Sequence, residues 1–136
     1  LIAKILISLS VIVGGFVPPT SAFEYPSVKP PMTAKCPQWW DTAVSVGWLR
    51  KNLVTLDFLM WRESRCDASA FNPKDPNGGS RGLMQINGFW TPWLRSRGVL
   101  KRSEGLFNPE VALKSALEIY GYGNEIYGNG WGPWNL

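Results

Sequence analysis

Apolar residues recur along this chain at several different spacings, and each spacing predicts a different element. Behind Lys4 an almost unbroken apolar run extends from Ile5 to Val17 and stops at Pro18 and Pro19. From Phe23 to Pro31, prolines interrupt every short apolar group, which predicts an extended lead without regular structure. Pro37 suits the first turn of a helix running to about Val46, where Gly47 provides a stop. A second helix is marked by Leu56, Leu59 and Met60 at i, i+3 and i+4, with Thr55 as N-cap and Asp57 in the first turn. A third, longer one opens with Asn108 as cap, then Pro109 and Glu110, and its stripe of Ala112, Leu113, Ala116, Leu117 and Tyr120 reads as buried.

Between these helices, "AFNPKDPNGGS" (Ala70 to Ser80) is so rich in turn formers that only a loop or short hairpin fits. "SRGLMQINGFW" (Ser80 to Trp90) then returns to helical, apolar character, with Gly82 at the corner. At 136 residues the chain is too short for two ordinary domains. The expected architecture is α+β, predominantly α-helical, with a small turn-rich or β lobe.

The second helix carries one residue that does not belong on an apolar stripe. Glu63 is i+7 from Leu56, while Arg62 and Arg65 point elsewhere. A carboxyl group on an apolar face is desolvated, which favours its protonated form, as a general acid requires. The plain alternative is a structural carboxylate that reaches water at a frayed helix end. The turn-rich lobe tips the balance, since a helix ending in a carboxylate and a segment returning beside it make two walls of a cleft. A polymer could lie there.

Composition removes most other chemistries. The chain has no His, which excludes Ser-His and Cys-His nucleophile systems, and its two Cys cannot complete the usual four ligands of zinc. No Gly-Lys-Ser/Thr phosphate cradle occurs. Carboxylate chemistry without metal or cofactor remains. The net charge of +4 and pI near 9.3 suit an anionic polymer such as a cell wall, and equally suit solubility. No basic run interleaves with aromatics, and Arg95, Arg97, Lys101 and Arg102 read as a solvated face, so no nucleic-acid partner is expected.

Lys4, the apolar run, the two prolines and small Thr20 and Ala22 read as a signal peptide over residues 1–22, cleaved after Ala22, or as a releasable anchor. The run is shorter than the roughly 20 residues of a membrane span, so no stable span is expected after processing. Residues 23–35 are expected to form the lead and 36–136 the single folded domain, expected to be catalytic, of a secreted or periplasmic monomer. In an oxidising compartment Cys36 and Cys66 are expected to pair.

The residues around the glutamate also carry a resemblance. Glu63–Ser64, Ala70 with Asn72, and "GSRGLMQIN" from Gly79 to Asn87 resemble the signature of the lysozyme-like superfamily, above all the lytic transglycosylase SLT domain, over about Trp39 to Trp134. This implies a small, mainly helical lysozyme fold. It also implies that Glu63 is the catalytic acid, acting on the bond between N-acetylmuramic acid and N-acetylglucosamine in peptidoglycan glycan strands.

In the similar animal-type lysozymes an aspartate follows the glutamate by seventeen residues, and here that position is Ser80. A hydrolytic muramidase would need a second carboxylate, for which Asp75 is the better substitute and Asp67 the weaker. Ser80 reads instead as a substrate contact. The resemblance then implies a transglycosylase using Glu63 alone and leaving 1,6-anhydromuramyl ends. By the same resemblance Met84 and Gln85 line the cleft, although Asn87 and Met84 suit capping and packing at least as well. Tyr120 is placed to reach the cleft, and Trp131 to offer a sugar an apolar face. The tail lacks the "YNAG" motif of many transglycosylases and ends in "GWGPW", more like secreted lysozyme-like proteins of bacteria and phages. A non-catalytic glycan binder of this fold is the rival from another class, and Glu63 argues against it.

Overall fold

A computed structural model describes residues 27–136 of the protein together with Gly14 and Gly15. Apart from those two glycines, the expected signal segment and the start of the lead lie outside the described residues. Two longer α-helices and two short ones, of six residues each, follow in part the expected boundaries. Helix α1, Trp40–Ser45, is preceded by a tight turn over Pro37–Trp39, so the prolyl start is a 3₁₀ turn rather than α-helix. Helix α2, Leu53–Ser64, grows out of a 3₁₀ turn at Arg50–Asn52. Thr55 therefore lies inside its first turn and is not the N-cap. Asn52 precedes the helix with a helical backbone of its own and makes no side-chain cap.

Asp57 also differs from expectation. It is buried, and its carboxylate accepts hydrogen bonds from Lys35 N (2.8 Å), Cys36 N (2.8 Å) and the Trp40 indole (2.9 Å). A group read as a helix-dipole partner is the anchor of the chain that leads into α1. The end of that lead is held too, since Val28 N donates to Asp41 Oδ1 at 2.8 Å.

After α2 the chain forms a three-stranded antiparallel sheet in the order β1 (Phe71–Asn72), β2 (Ser80–Arg81), β3 (Ile86–Asn87). Phe71 faces Arg81 and Asn72 faces Ser80; Ser80 also faces Asn87. This corrects the helical reading of Ser80 to Trp90. The "GLMQ" stretch is the turn between β2 and β3, with Gln85 N bonded to Gly82 O at 3.1 Å. Gly82 has φ +79°, and a side chain there would meet Leu106 O at 2.2 Å. Gln85 is left-handed as well, at φ +45°. A helix cannot contain that pair, and the turn drives Leu83 and Met84 fully into the core. Helical structure resumes at a short turn, Gly88–Trp90, and α3, Thr91–Ser96.

Helix α4, Pro109–Tyr127, matches its expected start: Asn108 Oδ1 accepts from Glu110 N and Val111 N. It buries Ala112, Leu113, Ala116 and Ile119, the last three in one core with Leu53, Leu56, Leu59, Met60, Leu83 and Met84. The tail returns along α4, and Gly130 lies so close to the Tyr120 ring that a Cβ would come within 2.4 Å of it. The architecture is α+β and predominantly helical. Among the described residues no helix is long and apolar enough to cross a membrane.

Cys36 and Cys66, 30 positions apart in sequence, form a disulfide with Cα atoms 5.4 Å apart. It joins the start of the first turn to the end of α2, where Arg65 and Cys66 are both left-handed. Closing a loop of that size removes unfolded-state entropy worth roughly 3–4 kcal/mol. Reduction is expected to lower unfolding stability by about that amount. The check is urea unfolding with and without reductant; equal midpoints would contradict it.

Candidate active site

Helix α2 presents its last turn beside the β2–β3 turn, and the tail closes over both. Glu63 sits at the edge of the buried stripe rather than in it: its side chain is 24% exposed, while the stripe continues through buried Ser64. Arg62, expected to point away, folds back. Its Nε (2.9 Å) and Nη2 (2.6 Å) both donate to Glu63 Oε1, and Nη2 also donates to Trp134 O at 2.5 Å. The Trp134 indole donates in turn to Met84 O at 3.0 Å. One tryptophan of the tail thus joins α2 to the β2–β3 turn. Among the described residues Glu63 Oε2 makes no hydrogen bond.

A pocket of about 160 Å³ opens at this junction. Glu63, Arg62, Gln85, Trp90, Ile119 and Trp134 contribute to its wall, together with Ile86, Asn87, Pro133 and Asn135. Among the described residues Glu63 is the one carboxylate there. The volume is below the roughly 300–1,000 Å³ of sites that enclose a whole small ligand. It can receive a reacting portion of a larger molecule, the rest of which must lie on adjoining surface.

The structure brings together some expected site residues and separates others. Gln85 is in the wall; its amide nitrogen donates to Ala70 O and Gly82 O, both at 3.1 Å. Its amide oxygen accepts no hydrogen bond among the described residues. Asn87 also borders the pocket, but its side chain is spent on Pro76 O, Gly79 O, Ser80 Oγ, Asn77 and Phe89 N, fastening the β lobe. Two expectations are corrected by burial. Met84 is a fully enclosed core residue, and Ser80 points into the lobe, where its hydroxyl accepts from Asn87 Nδ2 at 3.2 Å. Neither is on the pocket wall.

Tyr120 and Trp131 are absent from that wall as well. Trp131 stacks on buried Trp48, with centroids 5.5 Å apart and planes 6° from parallel, and Tyr120 packs against it at 4.6 Å. One face of the Trp131 ring is covered by Trp48. Asp75 sits in the β1–β2 loop, outside the pocket wall. Asp67 is engaged in its own turn, where the hydroxyl of Ser69 and then the Ser69 N–H hold its carboxyl below the usual range. No group of three His, Cys, Asp or Glu residues that could hold a metal occurs among the described residues.

Arg62, Trp90 and Trp134 are site residues that sequence reasoning missed. Arg62 lies off the α2 stripe, yet a long side chain two residues from the helix end can swing around it. Trp90 lies three residues beyond the end of the "GLMQIN" motif, and that proximity is the available signal. Nothing in the order of the tail distinguished Trp134 from Trp131.

With this geometry in place, the comparison with known families is informative. A family model described as "Lysozyme like domain" matches residues 40–135. The chain therefore belongs to the lysozyme-like domain family, a group of peptidoglycan-acting glycosidases. The matched span runs from the start of α1 through Asn135, and so takes in every wall of the Glu63 pocket. Comparisons with curated proteins and with solved structures give no match.

Proposed function

We propose that this protein is an exported lytic transglycosylase that cuts the bond between N-acetylmuramic acid and N-acetylglucosamine with Glu63 as its single catalytic carboxylate. The observation that carries the reading is that, among the described residues, Glu63 is the one acid on the pocket wall. The disulfide supports export, because such bonds persist in oxidising compartments.

The chemistry then follows from the two carboxyl oxygens. Arg62 holds Oε1 whether Glu63 is protonated or not, because a carboxylic acid keeps a carbonyl oxygen able to accept those bonds. Proton transfer runs through Oε2. Glu63 gives its proton to the glycosidic oxygen as the bond from muramyl C1 to that oxygen breaks, and the N-acetylglucosamine side leaves as an alcohol. The carboxylate so formed takes the proton of the muramyl C6 hydroxyl as its oxygen bonds to C1. A 1,6-anhydro ring results, Glu63 is again protonated, and no water is consumed. The substrate's own N-acetyl oxygen can support the cationic centre between the two steps, which makes a second protein carboxylate dispensable.

Mass spectrometry of digested peptidoglycan tests this. The expected fragments carry anhydromuramyl ends, each lighter by one water than a reducing end, and Asp75→Asn reduces activity only modestly. Reducing ends, with Asp75→Asn nearly as damaging as Glu63→Gln, would assign the protein instead as a two-carboxylate hydrolase. Binding without any cleavage would make it a glycan-binding protein.

A further inference from the structure

A pocket of about 160 Å³ leaves most of a polymer outside, and the surface beside it has a definite chemistry. Trp90 and Pro133, both on the Glu63 pocket wall, also line a neighbouring hollow of about 300 Å³ with Tyr127 and Gly132. From there the aromatic surface continues without a break. The Tyr127 ring is 6.0 Å from Tyr122, and Tyr122 is 5.3 Å from Trp90 and 5.4 Å from Trp93. These pairs meet edge to face at 70–78°, so each contact occupies at most one face of one ring and leaves the rest of the aromatic surface to line the hollows. Trp93 and Tyr122 then enter a third, open groove of about 540 Å³, where Arg97 and Glu118 form an ion pair at 3.1 Å and Glu125 lies nearby. Tyr127 is 65% exposed.

Exposed Tyr127 and half-buried Trp90, Trp93 and Tyr122 line these hollows beside polar, charged rims, which matches a pyranose chain, whose rings have apolar C–H faces and hydroxyl edges. We propose that Trp90, Tyr127, Tyr122 and Trp93 form a glycan track that binds the sugars flanking the scissile bond as the strand leaves the Glu63 pocket. This rests on the reading of Glu63 as the catalytic acid, and it names where the rest of the substrate goes. The occupant is a continuation of the same strand, because the track and the pocket share Trp90 and Pro133.

The test measures binding without turnover, using full-chain protein with Glu63→Gln and two probes: the N-acetylglucosaminyl–N-acetylmuramic acid disaccharide and peptide-free peptidoglycan glycan strands. Strands are expected to bind at least about tenfold tighter than the disaccharide, in line with one or two sugar–aromatic stacks. Adding Tyr127→Ala is expected to remove most of that difference, while Tyr127→Phe, which keeps the ring, retains it. Leu49→Ala, an exposed apolar residue elsewhere on the surface, controls for general stickiness and retains it too. Undiminished strand affinity in Tyr127→Ala, or an equal loss in Leu49→Ala, would overturn the track. Lysis by the otherwise unaltered protein reports the Glu63 reading separately, so lysis with no dependence of strand binding on Tyr127 would remove the track alone.

Discussion

Glu63→Gln is expected to fold like the parent protein and to lose peptidoglycan lysis by at least about two orders of magnitude. The amide has nearly the same shape, and its oxygen can still accept the Arg62 bonds that Oε1 accepts now. It has no acidic proton to give to a leaving sugar and cannot take one back from a C6 hydroxyl. The loss should therefore fall on turnover with no change in the unfolding midpoint. A zymogram and a urea titration on the same preparation separate these effects. More than a few per cent residual lysis would remove Glu63 from the centre of the chemistry.

Asp57→Ala has the opposite profile, a large effect on stability through a residue remote from the pocket wall. The substitution strands three donors at once, the Lys35 and Cys36 amides and the Trp40 indole. Each unsatisfied buried donor costs about 1–3 kcal/mol, and the total is a large part of an ordinary domain's roughly 5–15 kcal/mol. Unfolding measured with the disulfide intact is expected to show a loss of several kcal/mol. A loss below about 1 kcal/mol would mean that water replaces the carboxylate at little cost. Asp57→Asn retains one acceptor oxygen and should fall between the two.

The elements read most securely from sequence were those whose signals are local. Asn108, Pro109 and Glu110 state the start of α4 within three residues, and the cap forms as expected. The turn formers between Ala70 and Ser80 likewise announced a hairpin. Ser80 to Trp90 was misread because Leu83, Met84 and Ile86 are apolar for a tertiary reason: a left-handed turn pushes them into the core, and apolar content without a strand or helix period does not reveal that. Thr55 looked like a cap because a hydroxyl residue preceded an apolar stripe, but the Arg50–Asn52 turn had already started the helix. Glu63 stood out because a carboxyl group breaks an apolar pattern. The residues around it did not stand out, since Arg62, Trp90 and Trp134 meet it only through folding, and neighbours in a motif need not share a face. Ser80 and Gln85 show this, one turned into the lobe and the other bordering the pocket.

The Trp134 clamp also affects the order in which the molecule can assemble. Arg62 meets Trp134 across 72 residues of chain, and Trp134 meets Met84 across 50. Contacts so distant in sequence must overcome loop-closure entropy that the hydrogen bonds within α2 do not face. The helix that carries Glu63 can therefore wind before there is a pocket for Glu63 to act in. During refolding from denaturant, helical circular dichroism should return ahead of lytic activity, whose onset is tied to the two longest closures around the site.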